Sequence, residues 1–338
     1  MSSQIRAMRE IEETAVVEFF QKQGIAERVT RWKYYDEAFN KGRNRGYIAV
    51  DHGDLVGFIG IIPFLFVSAD VARNAVWTCD WYTDRTRPAM GLGLRLLAMV
   101  VHSHDLAFHL IGNDISRRIL DRLARETLRE TAIVLRVTLR LGDLLERFSE
   151  RAGVRFPWGP LGRFPLWSGL ALSSSEPVHI ETGVSDAIAD VLHLHRPGVC
   201  YPKYDREYVD WQIGRCPGLS SFTCLVGTRE AARAAAVFWR SEKSTDLWRV
   251  AIWPGCLTKR ALAGMLAIGI RRVYDLRGVA VSALLSRRDA CTIEALRSVG
   301  FLERGGVPFD VLGAKNNRPP FHELSGLSYL DDDLAYLF

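Results

Sequence analysis

The chain has 338 residues, 48% of them hydrophobic and 25% charged. That is the composition of a globular protein with room for two domains of roughly 150 residues, and it excludes a disordered or collagen-like chain. The 44 Lys+Arg against 39 Asp+Glu leave a net charge of +5, too mild to imply a nucleic-acid partner.

The longest apolar run, 56–67 (VGFIGIIPFLFV), is broken by Gly57, Gly60 and Pro63 and falls short of a membrane span. Residues 1–14 carry charges and no apolar h-region. The expectation is a soluble, cytoplasmic protein with neither membrane insertion nor a nucleic-acid partner. Cys79, Cys200, Cys216, Cys224, Cys256 and Cys291 form no CxxC pair, which fits buried thiols in a reducing compartment better than disulfides or zinc.

In chain order, 11–22 and 30–39 have helical spacing, and 47–50 and 55–66 read as strands joined by a His52-Gly53-Asp54 turn. A strand over 75–83 (AVWTCDWYT) runs through a glycine turn into a helix starting at Leu94. A strand over 106–111, a helix over 116–125 and a strand over 132–139 complete the first half. Residues 144–176, rich in Gly, Pro, Trp and Ser, suggest a linker or strap.

The second half repeats this order. Helices at 185–195 and 207–214 precede a hairpin of 221–226 with 234–239. A strand at 248–253, a helix at 258–275, a strand at 279–286, a helix at 290–299 and a strand at 308–313 follow. Trp32 precedes the first hairpin as Trp211 precedes the second, which points to an internal duplication. The expected division is 1–143, a strap at 144–178, 179–313 and a tail at 314–338, giving two mixed α/β units rather than one large sheet.

The stretch from Asp84 to Leu97 carries most chemistry. A strand enters the turn Met90-Gly91-Leu92-Gly93 and then an amphipathic helix. Glycines let backbone approach a ligand, and the first helical N–H groups lack internal partners, so the corner suits phosphate oxygens. A glycine turn before a helix is also ordinary punctuation.

These residues resemble the pyrophosphate loop of the GNAT acyltransferase superfamily, Gln/Arg-x-x-Gly-x-Gly/Ala. Residues 88–93 occupy that frame, with Arg87 displaced by one position. The family's second signature is matched by Asn113, Ser116, Ile119-Leu120 and Leu123. Leu120 stands where the family often has a tyrosine acid, and Ala124-Arg125 replaces the usual Gly-Phe. In the second half Val299-Gly300-Phe301 matches the family's helix ending, whereas its corner, 254–260 (PGCLTKR), has no GxG.

The resemblance implies an α/β (α+β mixed-sheet) fold of two tandem GNAT-like domains, each a mostly antiparallel twisted sheet flanked by helices with a splayed central strand pair. It implies that the first domain binds acetyl-CoA or another acyl-CoA and that the second, with a degenerate cofactor loop, helps form the substrate cleft. Backbone of Trp81, Tyr82 and Thr83 would pair with pantetheine, and Met90, Gly91, Leu92, Gly93 and Asn113 would hold the cofactor. The acceptor implied is a small-molecule primary amine, with an amino sugar suggested by the Trp-bearing helices before the hairpins.

Two residues stand out as proton acceptors. By period-two alternation Asp80 and Tyr82 share a face opposite Cys79 and Trp81. Asp80 is either a general base or a structural carboxylate bonded to a loop N–H or an arginine. His109 in the next strand would face the same gap, with a structural role as its alternative. Residues 31–35 (RWKYY) either line the acceptor pocket or anchor a helix through Trp32 and Tyr35. The arginines at 117, 118, 122, 125 and 129 either meet an adenosine 3′-phosphate or form a solvated helix face. His193 and His195 lack a third ligand, so no metal is expected. The consecutive acids Asp331, Asp332 and Asp333 belong to a docked tail. Two other functions share the fold: an acyl-CoA sensor or assembly protein without turnover, and a Fem-like aminoacyl transferase.

Overall fold

The computed structural model describes residues 4–8, 13–40, 42–84, 86, 91–110, 119–120, 122–124, 126–140, 176–194, 198, 200–228, 231–242, 247–314 and 319–328. The first half contains β1 (Gln4–Ala7), α1 (Glu13–Lys22), α2 (Glu27–Tyr35), α3 (Glu37–Asn40), β2 (Gly46–Asp51), β3 (Asp54–Ser68), β4 (Val71–Thr83), α4 (Leu92–Ser103), β5 (Leu106–Leu110) and β6 (Glu126–Thr138). The second contains β7 (Val178–Thr182), α5 (Ile188–Leu194), β8 (Cys200–Lys203), α6 (Arg206–Val209) with a π turn over Asp210–Gly214, β9 (Leu219–Gly227), β10 (Ala232–Ser241), β11 (Leu247–Trp253), α7 (Lys259–Asp275), β12 (Ala280–Ser286), α8 (Ala290–Ser298) and β13 (Leu302–Ala314).

The strands form one sheet in the order β1-β2-β3-β4-β5-β13-β6-β12-β11-β10-β9-β7, with β8 added to β3. This corrects the expectation of two separate sheets. The cause is a reciprocal exchange of final strands. In each half one parallel pair is present, β4 with β5 and β11 with β12. The strand that would close the first half, β6, pairs antiparallel with β12, and β13 pairs antiparallel with β5. Hydrogen bonding therefore runs unbroken across the junction.

Both faces of the sheet are covered. Leu92, Leu96, Leu97 and Val100 of α4 meet Ala49, Ile61, Val76, Ala107 and Leu312 on one face. On the same face α7 and α8 cover Ile133, Leu135, Val137 and the inner residues of β9–β12. On the other face α1 and α2 cover Ile48 and Phe58. A large aromatic cluster there joins the halves through Phe64, Trp77, Phe108, Trp211, Trp239, Trp253 and Phe309.

The duplication is visible in a clasp at this junction. Trp32 and Trp211 stack at 5.1 Å between centroids. The Trp32 indole N–H donates to the Trp211 carbonyl at 2.7 Å, and that of Trp211 donates to the Trp32 carbonyl at 3.1 Å. Equivalent residues of a repeated unit thus satisfy each other's polar groups inside an apolar cluster, where an unmet indole N–H is costly. The Arg45 guanidinium, fully buried and pulled down to about 10 by desolvation, lies 4.4 Å from the Trp211 ring and 4.8 Å from that of Phe39.

Residues 319–328 dock as the tail was expected to. Phe321, Leu324 and Leu327 enter the aromatic cluster, and the Ser286 hydroxyl donates to the Leu324 carbonyl. Asp331, Asp332 and Asp333 lie outside the described residues, as does 144–175 of the strap. Cys79, Cys200, Cys216 and Cys224 are buried, but Cys256 and Cys291 are exposed, correcting the expectation that all six thiols are buried. Both belong to solvent-facing positions around the helix starts of the second half. Among the described residues no helix is long and apolar enough to cross a membrane.

Candidate active site

The parallel ladder between β4 and β5 holds Ala75↔Leu106, Val76↔Ala107 and Trp77↔Phe108, then stops. From Thr78 onward β4 continues to Thr83 paired with β3, beyond its last β5 partner among the described residues, so the two parallel strands part in a wedge. Trp81, Tyr82 and Thr83 all lie on this stretch.

A β-bulge shapes it. In the β3–β4 register Phe58 opposes Tyr82 and Gly60 opposes Cys79, so Asp80 and Trp81 together face Ile59. Asp80 has φ 43, an unusual conformation for a residue with a side chain. The bulge changes the alternation expected from sequence. Asp80 and Tyr82 do point to the α1–α2 face, where Tyr82 packs with Phe20 at 5.9 Å. Cys79 is on that side too, its sulfur 3.8 Å from the Tyr34 hydroxyl, instead of opposite Asp80. Trp81 turns to the α4 face. An inserted residue reverses the alternation beyond it, and a period-two reading does not foresee that.

Asp80 is 5% exposed, and its Oδ2 accepts from Lys33 Nζ at 2.5 Å and from the Tyr34 hydroxyl. Lys33 is itself 1% exposed. The partner is a lysine from α2, not the loop N–H or arginine expected. A buried ion pair of this kind must be kept whole, because removing one member leaves a desolvated charge. Trp32, Lys33 and Tyr34 are thus turned into the packed interior. They do not line a cavity of about 480 Å³ formed at the opposite end of β4 by Phe39, Phe64, Asn74, Asp105, Lys203 and Tyr204.

His109 lies on the α4 face, the side opposite Asp80, so the two candidate bases are not brought together. Its Nδ1 is 2.9 Å from Thr78 Oγ1, and the Thr78 hydroxyl also donates to the Phe108 carbonyl at 3.1 Å. With its one proton given to that carbonyl, Thr78 oxygen accepts from Nδ1–H. The ring is then held with Nε2 as its basic nitrogen. The strand pattern carried no signal for Thr78, whose role depends on β4 lying beside β5 in this register.

Gly91 caps α4 with φ 79 and has no side chain to bond the first helical amides. A Cβ there would meet nothing within 4 Å, so the corner is open on that side. Gly93 is covered: a Cβ would lie 3.0 Å from the Trp81 indole nitrogen. Leu92 is buried under the sheet and serves packing. Arg87, Met90, Asn113 and Ser116 lie outside the described residues, as do Arg117 and Arg118, while Leu120 is buried beneath α4.

No protein-family model and no curated protein matches the chain in sequence. Solved structures do match. A conserved protein of unknown function from Enterococcus faecalis V583, described as a probable N-acyltransferase, superposes with a TM-score of 0.59 at 12% identity, covering 92% of this chain and 73% of that one. A GCN5-related N-acetyltransferase from Anabaena variabilis ATCC 29413 gives 0.55 at 12%, with coverage of 92% and 73%. Saccharomyces cerevisiae N-myristoyltransferase with bound myristoyl-CoA gives 0.54 at 10%, with 94% and 80%. Taken with the repeated order of elements and the two interrupted parallel pairs, these likenesses establish the architecture: the chain has the tandem GNAT fold.

Proposed function

We propose that the protein is an N-acyltransferase that moves an acetyl or other short acyl group from acyl-CoA to a primary amine, with an amino sugar as the acceptor class. The observation that carries this is a stretch of β4 running beyond its last β5 partner towards a helix start with no side-chain cap. From Thr78 to Thr83 is five residue steps of about 3.3 Å, roughly 17 Å, the reach of a phosphopantetheine arm. At its far end stands Gly91, with uncapped amides suited to a diphosphate. The yeast myristoyltransferase, with its bound myristoyl-CoA, supports an acyl-CoA donor.

In this reading pantetheine lies along the β4 edge as an added strand against Trp81, Tyr82 and Thr83. Gly91, Leu92 and Gly93 offer their amides to the diphosphate, helped by Met90 and Asn113. A backbone N–H of β4 polarises the thioester oxygen. The amine nitrogen attacks the carbonyl carbon; the C–N bond forms, the C–S bond breaks, and CoA leaves as thiolate. His109 Nε2 takes the proton released by the amine. Asp80, already bonded to Lys33 and Tyr34, keeps the bulge in shape and so keeps the wedge open.

The first half, 1–143, binds the donor, and the second, 179–313, contributes to the acceptor side. The test is calorimetric titration with acetyl-CoA, followed by thiol release across a panel of amines that includes glucosamine. Saturable binding with amine-dependent release is expected. Absence of binding would overturn the reading, and binding without release from any amine would leave an acyl-CoA sensor in its place.

A further inference from the structure

We propose that Asp310 is the positioning carboxylate of His109, so that the second half completes the proton-accepting site of the first. This rests on the role given to His109 above. Four polar residues stand in a row across four adjacent strands on the α4 face: Thr78 of β4, His109 of β5, Asp310 of β13 and Thr127 of β6. Thr78 meets His109 at 2.9 Å, and the Thr127 hydroxyl donates to Asp310 Oδ1 at 2.8 Å. His109 and Asp310 are register partners in the antiparallel β5–β13 ladder. Directly opposed residues have Cβ atoms about 4.5–5.5 Å apart on the same face.

Asp310 has no exposed surface, and the positions around the row are Val76, Ala107 and Leu312. A carboxylate in such surroundings is costly, and an aliphatic residue would serve packing better. Opposite an imidazole it has a use. When Nε2 accepts the amine proton the ring becomes a cation, and the neighbouring carboxylate stabilises it until thiolate or water removes the proton. The carboxylate reaches this place only because β13 is inserted beside β5. The strand exchange therefore has a chemical consequence besides fusing the sheet.

The other titratable groups of the described elements on this face are turned outward or engaged. Arg95 and His102 of α4 and Arg122 are exposed, and His104 bonds the Tyr47 hydroxyl at 3.2 Å. Asp80 is on the opposite face with Lys33 and Tyr34.

The experiment uses the full chain with ¹⁵N-labelled histidine, the His109 ring signals being assigned through His109→Gln. The wild-type ring is expected in the Nδ1-protonated form at neutral pH. Asp310→Asn should lower its protonation midpoint by about one pH unit. The acid limb of thiol release from acetyl-CoA, with glucosamine as the probe amine, should move down equally. An unchanged midpoint in Asp310→Asn overturns the proposal. If that variant fails to fold, Asp310→Ser, smaller and neutral, is read by the same two outcomes. A midpoint that shifts while His109→Gln retains full thiol release supports the coupling of Asp310 to His109 and overturns only the assignment of His109 as base.

Discussion

The two strand-to-helix corners of this molecule hold equivalent places in the order of elements and have opposite characters. In the first half β4 is bulged at Asp80 and Trp81, and α4 begins at Gly91, whose outer side is open. In the second half the β10–β11 ladder runs without a shift from Ala235↔Trp253 to Trp239↔Arg249. There the corner glycine, Gly255, is pressed against the Arg233 carbonyl, and Thr258 caps α7 by accepting from the Ala261 N–H at 3.3 Å. Beyond its last parallel pair, Val250↔Ala283, residues Ala251, Trp253 and Leu284 belong to the aromatic cluster. The repeated order of elements gives two strand-to-helix corners. One corner caps its helix start with a threonine side chain, and the other starts its helix at a bare glycine.

The difference is broken most sharply by placing a charge at each corner. Gly91→Asp should weaken acetyl-CoA binding by about 100-fold or more, since a carboxylate would stand where the helix start attracts anions. Cys256→Asp, at the exposed position of the second corner, should leave affinity within about twofold. Isothermal titration of both variants checks this. Equal losses would mean that the corners do not differ in function.

The bulge can be tested through its ion pair. Lys33→Met strands the buried Asp80 carboxylate and should cost about 3–5 kcal/mol in urea unfolding. Adding Asp80→Asn should recover most of that loss. A cost below about 1 kcal/mol would show that the pair does not hold the bulge.

The second half has its own buried carboxylate, supported differently. Asp289 accepts from the backbone N–H groups of Ser286 and Gly326, no cation meets it among the described residues, and burial pushes it from 3.8 up to about 6. The folded protein therefore holds this proton more tightly than the unfolded chain. Its contribution to stability is full below about pH 4, falls as pH rises towards 6, and is level above. The side chain is half-buried, so about 2 kcal/mol is expected after screening by water. Asp289→Asn should flatten stability between pH 4 and 6, as read by urea midpoints across that range. The smallest effect belongs to the cap: Thr258→Ala should cost about 1 kcal/mol in unfolding and leave acetyl-CoA affinity unchanged.

Much of this was legible in the sequence because it is local. Apolar periodicity marks α1, α4, α7 and α8, and the order of elements shows the repeat. The glycine at 91 marks the open corner. Elsewhere the chain context decided. The short edge strands β1, β7 and β8 exist through pairing with β2, β9 and β3, and their own sequences give little signal. The bulge occurs at Asp80 without a glycine to announce it, because Lys33 and Tyr34, nearly fifty residues earlier, hold it there. Likewise the strand at 308–313 was visible, but its seat between β5 and β6 was not. Asp310 and His109 therefore gave no sign of each other, since a pairing about 200 residues apart depends on register rather than composition.

The most direct measurement is a crystal structure of the full chain with acetyl-CoA. The diphosphate should lie on the amides of 91–93, with pantetheine along 78–83 and the thioester beside His109. A ligand seated instead at the Gly255–Thr258 corner, with the β4 edge bare, would contradict the account.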